Sequence, residues 1–271
     1  MRAAPTAIRV LGAAAGLALV AGLAAGCAGP APAASTSPIP LMPAADPFVS
    51  AVVFTNGLGT ADLEITNTVQ VGPTTTTRTG DIAAAMDAHG YGSGIWDDGG
   101  TRVEELVGDK AVYVRPAGSK ALWTKHPDGT RTLNSKLIAP LAGLGELMDL
   151  RDEGVTTQDG TPLRRYTGRL SATPERLRAL GLTDDDLALL GDQASAGTIA
   201  VVAWVDDRNQ IVRVDRSFEA TAPDGTPVRA SIVTRLTEFT VDLDLQAPSS
   251  ADVTALPTSA SGSSSGSSSG S

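Results

Sequence analysis

The sequence of 271 residues contains one cysteine and only two histidines. One cysteine cannot form an intrachain disulfide, and no group of cysteines and histidines has the spacing of a zinc site. His89 and His126 stand in no recognisable catalytic motif, and His126 opens the turn-like sequence His126–Gly129. We therefore expect no metal site and no histidine acting as a general base.

Aromatic residues make up only 4% of the chain, whereas apolar residues together make up 42%. The core must therefore be built mainly from alanine, valine and leucine. Basic residues are also scarce, with 21 Lys and Arg against 30 Asp and Glu, a net charge of −9 and no basic tract. Nucleic-acid binding needs clustered Lys and Arg to neutralise phosphates, so we expect no nucleic-acid partner.

Motifs of catalysis and of nucleotide binding are missing as well. The best approach to a G-x-S-x-G nucleophile elbow is Gln193–Gly197, which lacks the first glycine. The Gly-Leu-Gly sequences at 57–59 and 143–145 lack the third glycine of a dinucleotide-binding loop. We therefore predict no catalytic residue, no cofactor and no enzymatic activity.

The first residues have the pattern of a secretory signal. Arg2 and Arg9 precede Val10–Ala25, an uninterrupted run of Val, Leu, Ala and Gly. That run is too short and too rich in glycine and alanine for a typical bilayer-spanning helix. We predict a cleaved signal peptide over residues 1–26.

The only cysteine directly follows this segment. Leu23–Cys27 reads Leu-Ala-Ala-Gly-Cys and resembles the lipobox of bacterial lipoproteins, although its leucine stands one place further from the cysteine than usual. The resemblance implies cleavage before Cys27 and a diacylglycerol anchor, with palmitate among its acyl chains, on the thiol. An acyl anchor holds a protein on a membrane through its buried methylenes. The alternative is an ordinary signal peptide followed by an incidental cysteine.

Two low-complexity segments flank the predicted domain. Residues 27–45 combine the cysteine with an uncharged spacer of Ala, Pro, Ser and Thr, and residues 258–271 are almost entirely Ser and Gly. Neither segment has the apolar content to offset the entropy of ordering. The folded domain is therefore predicted at residues 46–257.

Segments 62–71, 211–218 and 228–237 alternate apolar and polar residues, which is typical of strands with one buried face. Asp-Gly pairs such as Asp159-Gly160 and Asp224-Gly225 suit tight turns, and strands joined by short turns run antiparallel. We thus predict an antiparallel sheet. The apolar residues expected on its buried face are Leu63, Ile65, Val69, Val71, Val212, Val214, Phe218, Val228, Ala230, Ile232 and Leu236.

One strand and several helices complete the prediction. Thr198–Val205 is apolar on both faces, so both sides should be covered. Helices are predicted at Leu137–Asp149, after Thr173-Pro174, at Asp184–Leu190 behind a capping box, and at Asp81–Ala88. The pattern predicts an α+β fold in which helices lie against one side of a curved sheet.

The layout resembles the actinobacterial LppX/LprG lipoprotein family, whose fold is similar to that of the LolA/LolB lipoprotein carriers. The similarity rests on the lipobox and spacer, on Gly160–Gly168 with its Tyr-Thr-Gly, on Trp204–Asp206, and on Leu245–Pro248. It implies a half-barrel, a strongly curved antiparallel sheet whose concave side is covered by helices. It also implies an apolar cavity for acyl chains, and no catalytic residues.

We therefore predict a monomeric lipoprotein, anchored on the extracytoplasmic face of the cell membrane, that binds and carries a lipid or glycolipid across the envelope. The alternative is a non-enzymatic scaffold or sensory lipoprotein that binds another envelope protein. An open cavity would favour the carrier, whereas a filled core would favour the alternative. The predicted cavity wall consists of Leu137, Leu141, Leu144 and Met148 from the covering helix and Ile199, Val201, Val202 and Trp204 from the sheet.

Overall fold

A computed structural model describes residues 46–86, 90–127, 132 and 134–255. The predicted signal peptide, Cys27 with its spacer, the Ser/Gly tail and His89 lie outside these residues. Within them, no helix has the length and apolar character needed to cross a bilayer.

Twelve strands form one open, curved sheet in the order β12-β6-β5-β4-β3-β2-β1-β11-β10-β9-β8-β7. All neighbours are antiparallel except β12 and β6, which run parallel. The predicted antiparallel sheet is thus confirmed. The strands are β1 (Thr60–Val71), β2 (Thr74–Ala85), β3 (Gly92–Asp98), β4 (Thr101–Val107), β5 (Ala111–Pro116), β6 (Trp123–Pro127), β7 (Met148–Gln158), β8 (Thr161–Ser171), β9 (Thr198–Val205), β10 (Ile211–Thr221), β11 (Pro227–Phe239) and β12 (Val253–Ala255).

The helices are short. In the described ranges they are α1 (Pro47–Gly57), α2 (Pro174–Arg178), α3 (Asp184–Leu190) and α4 (Gln193–Ala196), with 3₁₀ turns at Asn134–Leu137, Leu144–Glu146 and Ser250–Asp252. Thr173 caps α2 by accepting a hydrogen bond from the main-chain N–H of Arg176. Thr183 and Asp186 form the predicted capping box of α3.

Alternation predicted the inner face of two central strands correctly. On β1, Leu63, Ile65 and Val69 are buried and Val71 is half-buried, and on β11 all the expected apolar residues are buried. On β10 the register differs because a bulge lies between Ile211 and Arg213. The bulge turns Ile211 as well as Val214 towards the core, while Val212 is only half-buried.

Two predicted helices are wrong. Residues 81–85 continue β2, where Ile82 and Ala84 are buried on the same face as the core of β1. The segment predicted as the helix Leu137–Asp149 consists of two 3₁₀ turns and the start of β7. Pro140 and Gly143 account for this difference, because proline disrupts a continuous helix and Gly143 has a φ of 76°.

Buried side chains of the short helices belong to the same apolar cluster as those of the strands. From α1, the ring of Phe48 lies 5.0 Å from that of Tyr166 on β8. The buried hydroxyl of Thr55 accepts a hydrogen bond of 2.8 Å from the N–H of Ile211. These contacts attach α1 to the strands on the β7 side of the sheet.

A buried asparagine attaches the loop between α2 and α3 to the sheet. Asn67 on β1 donates through Nδ2 to the carbonyl oxygen of Leu180, at 2.8 Å, and to that of Ser231, at 3.1 Å. Gly181 has a φ of +89°, and a Cβ atom there would lie 2.5 Å from Oδ1 of Asn67. Only glycine therefore allows this close approach of loop and strand.

Strand β9 is not covered on both sides as predicted. Ile199, Val201 and Ala203 are buried on the inner face, but Val202 and Trp204 on the outer face are half-exposed. There the indole of Trp204 stacks on a guanidinium, that of Arg213, at 4.7 Å. Because this guanidinium covers the indole, no helix or second sheet has to pack on the outer face of β9.

The two edges of the sheet differ in construction. At one edge, β12 has only three residues, and Val253 packs against the small cluster of Tyr113 and Trp123. At the other edge, β7 carries two register shifts relative to β8, and Asp152 pairs with Arg164.

Candidate ligand-binding site

A cavity of about 120 Å³ lies where the segment after β6 and helix α2 meet strands β8, β9 and β10. Its walls come from residues 136–146, which we call the cover segment, from α2 and the turn after it, and from β8, β9 and β10. The apolar side chains that line it are Leu137, Ala139, Ala142, Leu170, Ala179, Leu180 and Ile199.

The cavity is small for a ligand site. Drug-sized ligands occupy pockets of roughly 300–1,000 Å³, and a dry apolar cavity of about 150 Å³ holds a molecule the size of benzene. The space therefore admits a head group or a few methylenes. A complete acyl chain requires the cover segment to move.

Little regular structure holds the cover segment together. Leu141 and Leu144 are buried in the apolar cluster, yet the segment contains only 3₁₀ turns. Glu146, near its end, forms an ion pair with Arg176 of α2. Packing of these leucines and this ion pair, rather than helical hydrogen bonds, therefore hold the segment in place.

A charged residue reaches the cavity from the inner face of β10. Arg216 stands between the buried Val214 and Phe218, and its register partners are Val201 on β9 and Ile232 on β11. Burial lowers the pKa of Arg216 to about 10, because the low-dielectric surroundings disfavour the charged form.

The hydrogen-bond partners of Arg216 are neutral. Its Nη2 donates to the carbonyl oxygens of Pro140, at 2.6 Å, and Ala142, at 3.0 Å. Across the described ranges, no carboxylate forms an ion pair with this guanidinium. Arg216 thus links the cover segment to the sheet and keeps an uncompensated positive charge at the cavity wall.

Other charges stand around the same space. Lys136, Arg176 and Glu146 also line the cavity, and Arg176 donates to the carbonyl oxygen of Ser171 at 3.1 Å. The single acid neutralises one of the three cations, so the lining has a net positive charge. This contrasts with the net charge of −9 for the whole chain.

The structure brings only some of the predicted wall residues to the cavity. Leu137 and Ile199 line it, while Leu141, Leu144 and Val201 are buried in the surrounding core. Met148 is 40% exposed at the start of β7, and Val202 and Trp204 lie on the outer face. The role of these residues as a ligand wall stays a prediction.

Sequence reasoning missed Arg216. The signal that would have found it is its position in the alternation of β10, where Val214, Arg216 and Phe218 share one parity and hence one face. An arginine in an otherwise apolar row is costly to bury and calls for a partner.

Candidate metal ligands are not grouped in the described part of the chain. There, no three His, Cys, Asp or Glu side chains are grouped so that they could hold a metal ion. His126 lies on β6, which is the strand next to the β12 edge and is not part of the cavity lining.

No family model and no curated protein match the chain. Similar solved structures include the Mycobacterium tuberculosis lipoprotein LppX, with 15% identity over 74% of this chain and 96% of that one and a TM-score of 0.47. LprF from Mycobacterium bovis has 13% identity over 74% and 95%, with a TM-score of 0.47. A LolA superfamily protein from Nitrosomonas europaea has 8% identity over 70% and 93%, with a TM-score of 0.22. The resemblance to LppX that the sequence predicts is found again among solved structures.

Proposed function

We propose that the protein is a lipoprotein of the extracytoplasmic membrane face that binds a lipid or glycolipid and carries it across the envelope unchanged. The observation that supports this most directly is the apolar cavity between the cover segment and the inner face of β8 and β9. In this proposal, the short helices and the cover segment lie on the concave side of the sheet. The family resemblance predicted from the sequence implies the same function.

The ligand chain enters as the cover segment moves away from the sheet. This movement exposes the buried side chains of Leu141 and Leu144, which then contact the chain in place of the sheet. Each methylene buried in this way contributes ~0.8 kcal/mol, so several methylenes offset the lost packing of the segment. The small resting cavity is the closed state of this site.

Native mass spectrometry of the full-length protein, kept in amphipol after membrane extraction, tests ligand binding. We expect discrete added masses beyond the covalent anchor that organic solvent extracts as lipid. Ala179→Phe fills the cavity and should lower the amount of bound lipid, whereas Ala200→Phe, at an exposed outer-face position, should not. An unliganded mass for the wild type after incubation with envelope lipids would contradict the proposal.

The anchor at Cys27 has its own test. Cys27→Ala removes the only thiol, so we expect the protein to be released from membranes and to fail to incorporate labelled palmitate. Cell fractionation and metabolic labelling measure both properties. Palmitate incorporation by the variant equal to that of the wild type would show that the lipobox interpretation is wrong.

One observation favours the second function, binding to another envelope protein. Helix α1 exposes Val49, Val53 and Phe54, with 41%, 67% and 45% of their surfaces accessible. These side chains form an apolar face of the kind that contacts a partner. Capture of a specific protein that is lost when Phe54 is replaced by Asp, without bound lipid, would support this function.

A further inference from the structure

We propose that the cavity is a subsite for the anionic group of an amphiphile, a carboxylate or a phosphate ester, and that Arg216 binds this group. The inference rests on the proposed function and specifies the chemical class of its ligand. Arg216 would contact the anion, and the apolar wall would contact the first methylenes of the chain.

The first support is the unused hydrogen-bonding capacity of Arg216. An arginine carries five N–H donors in a planar fork, whose geometry matches the two oxygens of a carboxylate or phosphate. Both hydrogen bonds that its side chain forms with the described residues come from Nη2. The guanidinium therefore retains donors on Nε and Nη1 for a ligand.

The second support is the location of the charge. A side chain that only links the cover segment to the sheet needs donors but no charge, and a charge on an apolar face is costly. Arg216 is nevertheless half-buried in the row of the buried Val214 and Phe218. An anion bound beside it compensates this cost, which gives the charge a function in the ligand-bound protein.

The third support is the set of charges around Arg216. Lys136 and Arg176 line the same cavity, and the only acid there, Glu146, is already paired with Arg176. Positive charge inside a partly enclosed, low-dielectric space raises the local concentration of anions. The chain as a whole carries a net charge of −9, which makes this location an exception.

The fourth support is the combination of size and lining. About 120 Å³ is less than the volume that holds benzene, so the cavity accommodates a phosphate group, or a carboxylate with its first methylenes. Leu137, Leu170 and Leu180 offer nothing to a free inorganic ion, but they match the apolar chain next to an anionic head group. The cavity therefore fits an anionic amphiphile better than a simple anion.

Photolabelling of the full-length protein in isolated membranes tests the inference. The probes are a diazirine analogue of palmitic acid and the matching diazirine analogue of hexadecanol, which differ only in the charged group. We expect the wild type to label with the acid at concentrations about tenfold lower than with the alcohol. Unlabelled dodecyl phosphate should compete with the acid, whereas inorganic phosphate should not.

Variants assign the effect to one residue. Arg216→Gln keeps a donor for the two carbonyls but removes the charge, so it should abolish the tenfold preference for the acid and leave labelling by the alcohol unchanged. Arg216→Lys should keep part of the preference. Arg213→Gln, on the outer face of the same strand, is the matched control and should behave as the wild type. Circular dichroism checks that each variant folds.

The possible outcomes separate the two proposals. Equal labelling of the wild type by acid and alcohol would overturn the anionic subsite while leaving the hydrophobic-ligand function in place, whatever the variants do. Labelling by neither probe would overturn both. Competition by inorganic phosphate as strong as that by dodecyl phosphate would identify a free-anion site and overturn the amphiphile.

Discussion

Arg213 and Arg216 lie on the same strand, β10, but on opposite faces of the sheet, and their surroundings differ in kind. Arg213 forms two hydrogen bonds of 2.7 Å with Asp215 and stacks on Trp204. Its pKa is raised, mainly by the hydrogen bond to Asp215. Arg216 has two carbonyl partners, and burial lowers its pKa to about 10.

The two arginines thus differ in how their charges are neutralised. On the outer face, cations are matched by carboxylates of the same chain, as in Arg213–Asp215 and Arg165–Glu153. On the inner face, apolar packing supplies the stability, and Arg216 keeps a charge that no carboxylate of the described residues neutralises.

The largest expected effect comes from placing a charge on each face of β9. Val201→Asp buries an unpaired carboxylate in the core, so we expect the free energy of unfolding to fall by ~4 kcal/mol. Val202→Asp, one residue further and half-exposed, should cost ~1 kcal/mol or less. Urea denaturation measures both. Equal losses would mean that the two faces are not distinct, and a folded Val201→Asp variant would place Val201 on an open cavity wall.

A smaller effect is expected from removing one buried hydroxyl, on α1, and one solvent-facing hydroxyl, on β1. Thr55→Val leaves the buried N–H of Ile211 without its acceptor, so we expect a loss of ~2 kcal/mol in the free energy of unfolding. Thr55→Ser should restore most of it. Thr68→Val, at the solvent-facing contact with Thr77, should change stability by less than ~0.5 kcal/mol. A similar cost for both valine variants in thermal denaturation would contradict the comparison.

The smallest effect concerns an exposed ion pair between the edge strand β7 and β8, and its pH dependence. The pKa of Asp152 is lowered by its hydrogen bond to Arg164, with Gly154 N–H contributing. A carboxyl whose pKa is lower in the folded state stabilises the protein above its unfolded pKa, and this contribution is lost as the pH falls through the folded value.

We therefore expect Asp152→Asn to lower the melting temperature slightly at pH 7 and not at all near pH 2. Solvent screens this exposed pair, so 1 M salt should also shrink the difference. Melting curves at the two pH values measure it. A difference that persists at acid pH would mean that Asp152 stabilises the fold by something other than its charge.

Local patterns predicted much of the fold. Alternation identified the inner face of β1 and β11 because one face of each is buried and the other meets solvent. The Asp159-Gly160 turn joins β7 and β8 as predicted, with both residues at positive φ. The capping box of α3 was equally visible, since it depends only on residues within one turn of the helix.

The candidate site was less predictable because tertiary contacts define it. Leucines at 137, 141 and 144 have helical spacing, but the core accepts the same side chains from 3₁₀ turns around Pro140 and Gly143. The cavity depends on where this segment lies over β8 and β9, which no local pattern contains. Arg216 has the parity of Val214 and Phe218, but that alternation does not show that the cover segment lies over its side chain.

The edges of the sheet have a consequence for the molecule as a whole. An open sheet ends in two rows of main-chain groups, to which a strand of a second molecule can add. Here one end is closed by three residues running parallel to β6, and the other is bent by the irregularities of β7 and carries charged side chains. Both edges disfavour the addition of a strand. Molecules with this wide open sheet can therefore be concentrated without their sheets joining edge to edge into a fibre.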